Sequence, residues 1–307
     1  MTTAHTPVMP DEVLAALRPR GGGRYVDGTL GGGGHTERLL EASAPDGKVL
    51  AVDADPAALE RGRRRLERFG GRVVFVQGSF RCLAGLAASH GFDGCDGVVL
   101  DLGLSSDQLA DPERGFSFQH DGPLDMRFDP SRGRTAADLL NEADEAELAD
   151  IFYYYGEERR SRRLARRIVE RREQRPFQRT GDLVEVVLET LGGRRGRLHP
   201  ATRVFQALRV AVNEELEALK AGLEAAASIL AEGGRLAVIS FHSLEDRIVK
   251  RFVLAHVAGE LSPPLRALTK KPIVPTDAEQ AANPRSRSAK LRVAERRPVE
   301  ATGGRRG

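Results

Sequence analysis

The sequence predicts an α/β protein: an open, mostly parallel sheet covered by helices on both faces, with an α-helical segment inserted into it. Three observations lead there. Four short apolar runs, at 25–27, 48–53, 72–77 and 97–101, are separated by helical patterns, as strands buried on both faces read. Three of these runs end in a carboxylate, Asp27, Asp53 and Asp101, so one sheet edge collects acid where ligands of such sheets bind. No strand pattern interrupts residues 135–209, after which the apolar run 235–240 resumes the sheet.

In chain order, a short amphipathic helix over 11–17 precedes the first strand. A glycine-rich turn, 28–34, leads into a helix carrying Leu39 and Leu40. After the second strand Asp55 can cap a helix with Pro56 at its first position. The third strand runs into Gly78-Ser79-Phe80, and the fourth ends at Asp101 before a loop, 102–108. A polar, irregular stretch over 111–130 carries embedded aromatics, Phe116 and Phe118, and a long segment of that kind is functional or disordered, with the aromatics against disorder. Helices are expected at 135–141, 144–155, 157–173, 180–191 and from Pro200. A long helix over 213–231 should stop at Gly233-Gly234. The fifth strand, 235–240, leads into a helix for which Ser243 and Asp246 are spaced like a capping box, and His242 reads as a helix-start residue ahead of a catalytic base. Residues 263–284 look irregular apart from a short strand at 272–275, and a basic loop with a last strand closes the fold over 285–293, with a tail after Arg297.

The glycine turn carries the chemistry. Glycines between a strand and a helix permit positive φ and let a ligand approach main-chain N–H groups. Asp53, twenty residues beyond Gly33, ends the next strand, the position of a carboxylate that bonds ribose hydroxyls. The dinucleotide fingerprint G-x-G-x-x-G fails: begun at Gly31 it meets Thr36, and begun at Gly28 it meets Leu30. Acid at both strand ends suits a cationic ligand bearing a ribose better than a pyrophosphate. S-adenosylmethionine is such a ligand.

Composition bounds the rest. A chain of 307 residues accommodates one large α/β domain and a smaller one. Cys82 and Cys95 form no CxxC pair, which predicts a reduced, cytoplasmic protein with no zinc site. No signal peptide and no run of transmembrane length is present, so no membrane is expected, and no ligand cluster points to a metal. Of the 47 basic residues only six are Lys, and net charge is +3, so placement of charge informs more than its sum. Residues 156–179 hold ten Arg against four acids along a narrow apolar line, Leu164 and Ile168. Both a solvated helix face and an RNA-backbone surface account for that pattern.

Motifs spanning almost the whole chain, in order, resemble the bacterial 16S rRNA (cytosine-N4) methyltransferases. They are His5-Thr6-Pro7-Val8, Asp27-Gly28-Thr29-Leu30-Gly31 through His35, Asp101-Leu102-Gly103-Leu104-Ser105-Ser106-Asp107-Gln108-Leu109 and Arg114-Gly115-Phe116-Ser117-Phe118. Gly122-Pro123-Leu124-Asp125-Met126-Arg127, His199-Pro200-Ala201-Thr202-Arg203, Ser240 through Arg247 and Asn283 through Ser288 complete them.

The resemblance implies a Rossmann-like class I methyltransferase sheet over 1–109 and 210–307, with an inserted helical RNA-recognition domain over 110–209. It implies methyl transfer from S-adenosylmethionine to N4 of a cytidine in the ribosomal decoding region, with 16S rRNA in the small ribosomal subunit as partner. A homodimer stays open. Carried over by motif, the cofactor ligands are Gly33, Gly34, His35, Asp53, Phe80, Asp101 and Gln108. Loop N–H groups would receive the methionine part, Asp53 the ribose and Phe80 the adenine. Many amino-methyltransferases carry [DNS]-P-P-[FYW] after the fourth strand, whereas this chain has Asp101-Leu102-Gly103-Leu104. Asp101 is the first candidate for the catalytic acceptor and Ser105 the second. Residues 124–127 read as part of a base pocket or as a structural turn.

Overall fold

The computed structural model describes residues 7–193 and 199–298. His5 and Thr6 of the first motif lie outside the described residues, as does the expected tail from residue 299 onward. The chain runs α1 (Pro10–Leu17), β1 (Arg24–Asp27), α2 (Gly34–Ala42), β2 (Lys48–Asp53), α3 (Pro56–Leu66), β3 (Val73–Gln77), α4 (Leu83–Ser89) and β4 (Cys95–Asp101). Six helices follow: α5 (Ser106–Ala110), α6 (Ala136–Glu142), α7 (Glu145–Tyr154), α8 (Ser161–Gln174), α9 (Thr180–Leu191) and α10 (Ala201–Val212). Then come α11 (Glu215–Ser228), β5 (Leu230–Ser240), α12 (Ser243–Ala258), β6 (Leu265–Ala267), α13 (Asp277–Ala282) and β7 (Lys290–Arg296).

Two compact units result: one reaches Gly103 and resumes at Leu216, and the other is Leu104–Glu215. The first is built on a seven-stranded sheet ordered β3-β2-β1-β4-β5-β7-β6. Strands β1 to β5 pair in parallel, while β7 is antiparallel to both its neighbours, the class I methyltransferase arrangement. Tyr25, Val49, Ala51, Val99 and Ile239 face a core closed by α1, α2 and α3. Val26, Leu50, Val98, Leu100 and Val238 face the other, closed by α4, α11 and α12. Alternate residues of each strand therefore bury in opposite cores, which explains the unbroken apolar runs. The second unit has its own core, with Leu148, Phe152, Leu164, Ile168, Leu183 and Phe205 at its centre. Among the described residues no helix is long and apolar enough to cross a membrane.

Several expectations need correction. The helix expected over 213–231 ends at Ser228, and Gly233 (φ 77°) lies inside β5, where the pairing with β4 shifts register between Cys95 and Gly97. The two glycines thus serve a strand irregularity, a use of glycine that competes with helix termination in any sequence reading. The helix expected from 157 starts at Ser161, because Glu157 is left-handed (φ 50°). The box expected from Ser243 and Asp246 sits one residue earlier: Glu245 accepts from the N–H groups of Phe241 (2.8 Å) and His242 (3.2 Å). Asp246 instead pairs with Arg292 at 2.7 Å and Lys290 at 3.3 Å. The loop 102–108 contains the start of α5, and the stretch 263–284 holds β6 and α13, with 272–275 reduced to one bridge between Ile273 and Leu291.

Candidate active site

Main-chain bonds set the floor of the glycine turn: Gly28 N–H donates to Val99 O (3.0 Å) and Leu30 N–H to Val52 O (2.9 Å). Gly33 precedes α2 in the left-handed region (φ 77°), where any other residue would be strained. Gly34 begins the helix with Pro7 against it: a Cβ there would lie 2.8–3.0 Å from the proline ring. No side chain caps α2. Its first-turn N–H groups are donors at the positive end of the helix dipole, which suits a carboxylate.

Asp53 closes the turn from the β2 side. Oδ2 accepts from Gly31 N–H at 2.7 Å and Oδ1 from Asp55 N–H at 2.9 Å. Each oxygen keeps a further lone pair for a ligand hydroxyl. Burial pushes this carboxyl up to about 6, against the pull of the two N–H donors.

Asp27, His35 and Asp101 meet beside it. Asp27 is fully buried and accepts from Thr36 Oγ1 (2.7 Å) and Thr29 N–H (3.1 Å). Thr29 Oγ1 in turn accepts from Asp101 N–H at 2.7 Å, tying the end of β4 to the glycine turn. Burial raises the Asp27 carboxyl, opposed by His35 and the two threonines. His35 Nε2 lies 3.4 Å from Asp101 Oδ2, without hydrogen-bond geometry, and is buried with no other partner among the described residues. Burial would lower the imidazole, but Asp101, then Asp27, outweigh it and raise His35 above its ordinary value. Asp101 Oδ1 is also buried and accepts no hydrogen bond from the described residues, a costly state for a carboxylate oxygen and one that a ligand donor would relieve. Thr29 and Thr36 escape a sequence reading as functional residues. In the sequence Thr36 marks only the place where a glycine fingerprint fails, yet its hydroxyl is what holds Asp27.

Gly33, Gly34, His35, Asp53, Phe80 and Asp101 all lie in the sheet unit, the strand-end members at the carboxyl edge. Phe80 is half-buried in a 3-10 turn capped by Ser79, with one ring edge so near α11 that a Cβ on Gly222 would lie 2.3 Å from it. Gln108 belongs to the second unit. There it forms a capping box for α5, with Ser105 N–H donating to Gln108 Oε1 (3.0 Å) and Gln108 N–H to Ser105 Oγ (3.1 Å).

In the second unit the quoted motifs are largely architectural. Leu124 and Met126 are buried in its core, and Arg127 clasps Asp125 through Nε (2.9 Å) and Nη2 (2.7 Å). Phe118 stacks on His199 with centroids 4.9 Å apart and meets Phe205 edge-on at 5.1 Å. Residues 124–127 thus have a structural role in this unit's core. The arginines of 156–179 are also mostly occupied. Arg172 donates to Leu140 O and Ala143 O, Arg160 to Leu191 O, and Arg167, Arg175 and Arg179 pair with Glu189, Asp182 and Asp121. Among the described residues Arg159, Arg162 and Arg163 are exposed and make no ion pair.

Residues 2–297 match the MraW methylase family. Two similar relatives carry the name ribosomal RNA small subunit methyltransferase H. The one from Thermomicrobium roseum is 54% identical over 308 residues, covering 96% of this chain and 94% of its own. The one from Citrifermentans bemidjiense is 54% identical over 306 residues, covering 95% and 98%. A third of that name, from Geobacter sulfurreducens, is 52% identical over 310 residues, covering 96% and 100%. With a match of that extent over a sheet of this topology, the chain belongs to the MraW methylase family.

Proposed function

We propose that this protein transfers a methyl group from S-adenosylmethionine to the exocyclic N4 of a cytidine in the decoding region of 16S rRNA, with the small ribosomal subunit as substrate. The observation that carries the reading is the unpartnered, buried Oδ1 of Asp101 at the carboxyl end of β4, beside an uncapped helix and a ribose-type carboxylate. These residues fit the cofactor. The first turn of α2, with Gly33 and Gly34, receives the methionine carboxylate, Asp53 accepts from the ribose hydroxyls, and Phe80 borders the adenine. Gln108 completes the set carried over by motif. Bound S-adenosylmethionine supplies an electrophilic methyl group on a sulfonium.

Cytosine N4 is a poor nucleophile, because its lone pair is delocalised into the ring. Asp101 accepts a hydrogen bond from the amino group, which favours pyramidal nitrogen and stabilises the positive charge that develops there. It then takes the proton that the methylated nitrogen must lose. The protein's other task is to hold acceptor, nitrogen and methyl in line. Reaching the site requires the cytidine to leave its stack, at about a few kcal/mol, which cationic contacts to the RNA backbone offset. Arg159, Arg162 and Arg163 of the helical unit and the basic turn at 285–288 supply such contacts, and the helical unit serves RNA recognition. The relatives' shared name, a small-subunit rRNA methyltransferase, supports the substrate class.

The test is transfer of labelled methyl to isolated small subunits, free 16S rRNA, DNA and nucleosides, with digestion to nucleosides. Label in N4-methylcytidine from the subunit or its rRNA is the expected result. Label confined to DNA or free nucleosides, or to another position of the base, overturns the reading.

A further inference from the structure

Of the ionisable groups at the carboxyl edge, one has been given only a main-chain role. His35 sits in the first turn of α2 with its side chain only 6% exposed and its Nε2 toward Asp101 Oδ2 at 3.4 Å. The other groups that face the pair are few. Asp27, from β1, is fully buried and spent on Thr29 and Thr36; Arg38 lies one turn along α2; Asp53, from β2, is itself raised in part by Asp27. Asp101 and Asp27 therefore both act on one buried imidazole. Burial and Asp101 raise the Asp27 carboxyl, and a protonated imidazole 3.4 Å from Asp101 Oδ2 offsets the negative charge held there. A neutral Nε2–H ring would donate the same hydrogen bond but leave the negative charge of Asp101 uncompensated.

We propose that the His35 imidazolium is the positioning residue of the reaction: it turns and balances the Asp101 carboxylate so that Asp101 meets the amino group of the target base. The inference rests on the function proposed above, and adds a side-chain role to a residue otherwise expected to serve through its backbone. Protonated His35 donates from Nε2 to one Asp101 oxygen when the site closes on its ligands. The other oxygen accepts from the amino group and then its proton. No bond to His35 is made or broken, and the released proton passes from N4 to Asp101. A second-layer donor of this kind fixes orientation in the way that carboxylates fix metal-bound imidazoles. His35 is raised above its ordinary value, by Asp101 and then Asp27 against burial, so the working form is lost as pH rises through that raised value.

Two measurements test this. The first is independent of turnover: nitrogen-15 NMR follows the His35 ring with pH in the cofactor-free protein, with and without Asp101→Asn. The expected result is a titration above 6.5 in the parent that moves down in Asp101→Asn. A His35 titration that Asp101→Asn leaves unmoved overturns the pairing, whatever the substrate proves to be. The second is the single-turnover rate of RNA methylation at saturating S-adenosylmethionine, between about pH 6 and 9, around the ordinary histidine range, for the parent, His35→Gln and His35→Asn. Parental transfer to rRNA is measured first, so a failure of the proposed function shows there and not in the variants. The expected variants bind cofactor, react at least about tenfold more slowly at neutral pH, and lose the alkaline fall of the parent. Variants that weaken cofactor binding alone, with parental rate and pH profile at saturation, reduce His35 to a cofactor contact and overturn the proposal.

Discussion

At the scale of single residues, the site is defined by what each carboxylate already holds. Asp53 has one N–H donor on each oxygen and a carboxyl raised to about 6 by burial. In the ligand-free protein the folded form therefore binds this proton more tightly than the unfolded chain. The ionised group costs stability above about pH 6 and the cost vanishes below its ordinary 3.8. Ribose hydroxyls donate to the ionised form, so ligand binding pulls the pKa back down. Affinity for S-adenosylmethionine should then weaken as pH falls through about 6, by up to about tenfold per unit, with proton release on binding at that pH. Calorimetry in two buffers of different ionisation enthalpy measures this directly. Asp53→Asn should bind more weakly and show no such pH dependence, and the same dependence surviving in a folded Asp53→Asn would remove Asp53 from the ribose. Asp101 differs, since one oxygen has no donor among the described residues. Asp101→Asn should keep the fold yet, at saturating S-adenosylmethionine, lose about 3–4 kcal/mol of transition-state stabilisation, a few hundredfold in the single-turnover rate.

At the scale of elements, the two families of arginine separate by what they touch. Arg172 satisfies two carbonyls at and just past the end of α6, at 3.0 and 2.6 Å. Arg172→Ala should destabilise the helical unit by about 1–3 kcal/mol, read as a lower melting temperature, with little change in the salt dependence of RNA binding. Arg159, Arg162 and Arg163 are exposed and make no ion pair among the described residues. Their joint replacement by Ala should leave the melting temperature in place and reduce the slope of log affinity against log salt by up to about 2, at roughly 0.7 for each phosphate no longer neutralised. An unchanged slope would mean that this face is merely solvated. The excess of Arg over acid is plain in the sequence, but which members are free is not. That depends on which carbonyls and carboxylates the helices bring within reach, and helical periodicity carries no such information between distant segments. Boundaries are hidden in the same way: Gly233 and Gly234 serve a strand irregularity in β5, and Glu157 breaks the chain before α8 with a left-handed residue that is not glycine.

At the scale of the whole molecule, the sheet is the most legible feature. Its strands are buried on both faces, so they announce themselves as unbroken apolar runs, and their terminal acids mark the carboxyl edge where the site lies. Less visible is the antiparallel end of the sheet. The last strand, β7, is expected from the sequence, but β6 is three residues long and lies in a proline-rich stretch, with too little periodicity to separate it from a loop. The site's second layer is hidden for a different reason: Thr29 and Thr36 have no chemistry of their own and matter only because β1, β4 and α2 converge. If this edge, with Asp101 as acceptor, methylates one cytidine of the small-subunit RNA, the protein should leave its mark at a single place in the ribosome. Mapping N4-methylcytidine in 16S rRNA tests this most directly, using cells that lack the protein and the same cells supplied with the parent or with Asp101→Asn. The expected pattern is one decoding-region cytidine that is methylated with the parent, unmethylated without the protein and largely unmethylated with the variant. Methylation that persists at that cytidine in the absence of the protein, or that Asp101→Asn restores in full, would contradict it.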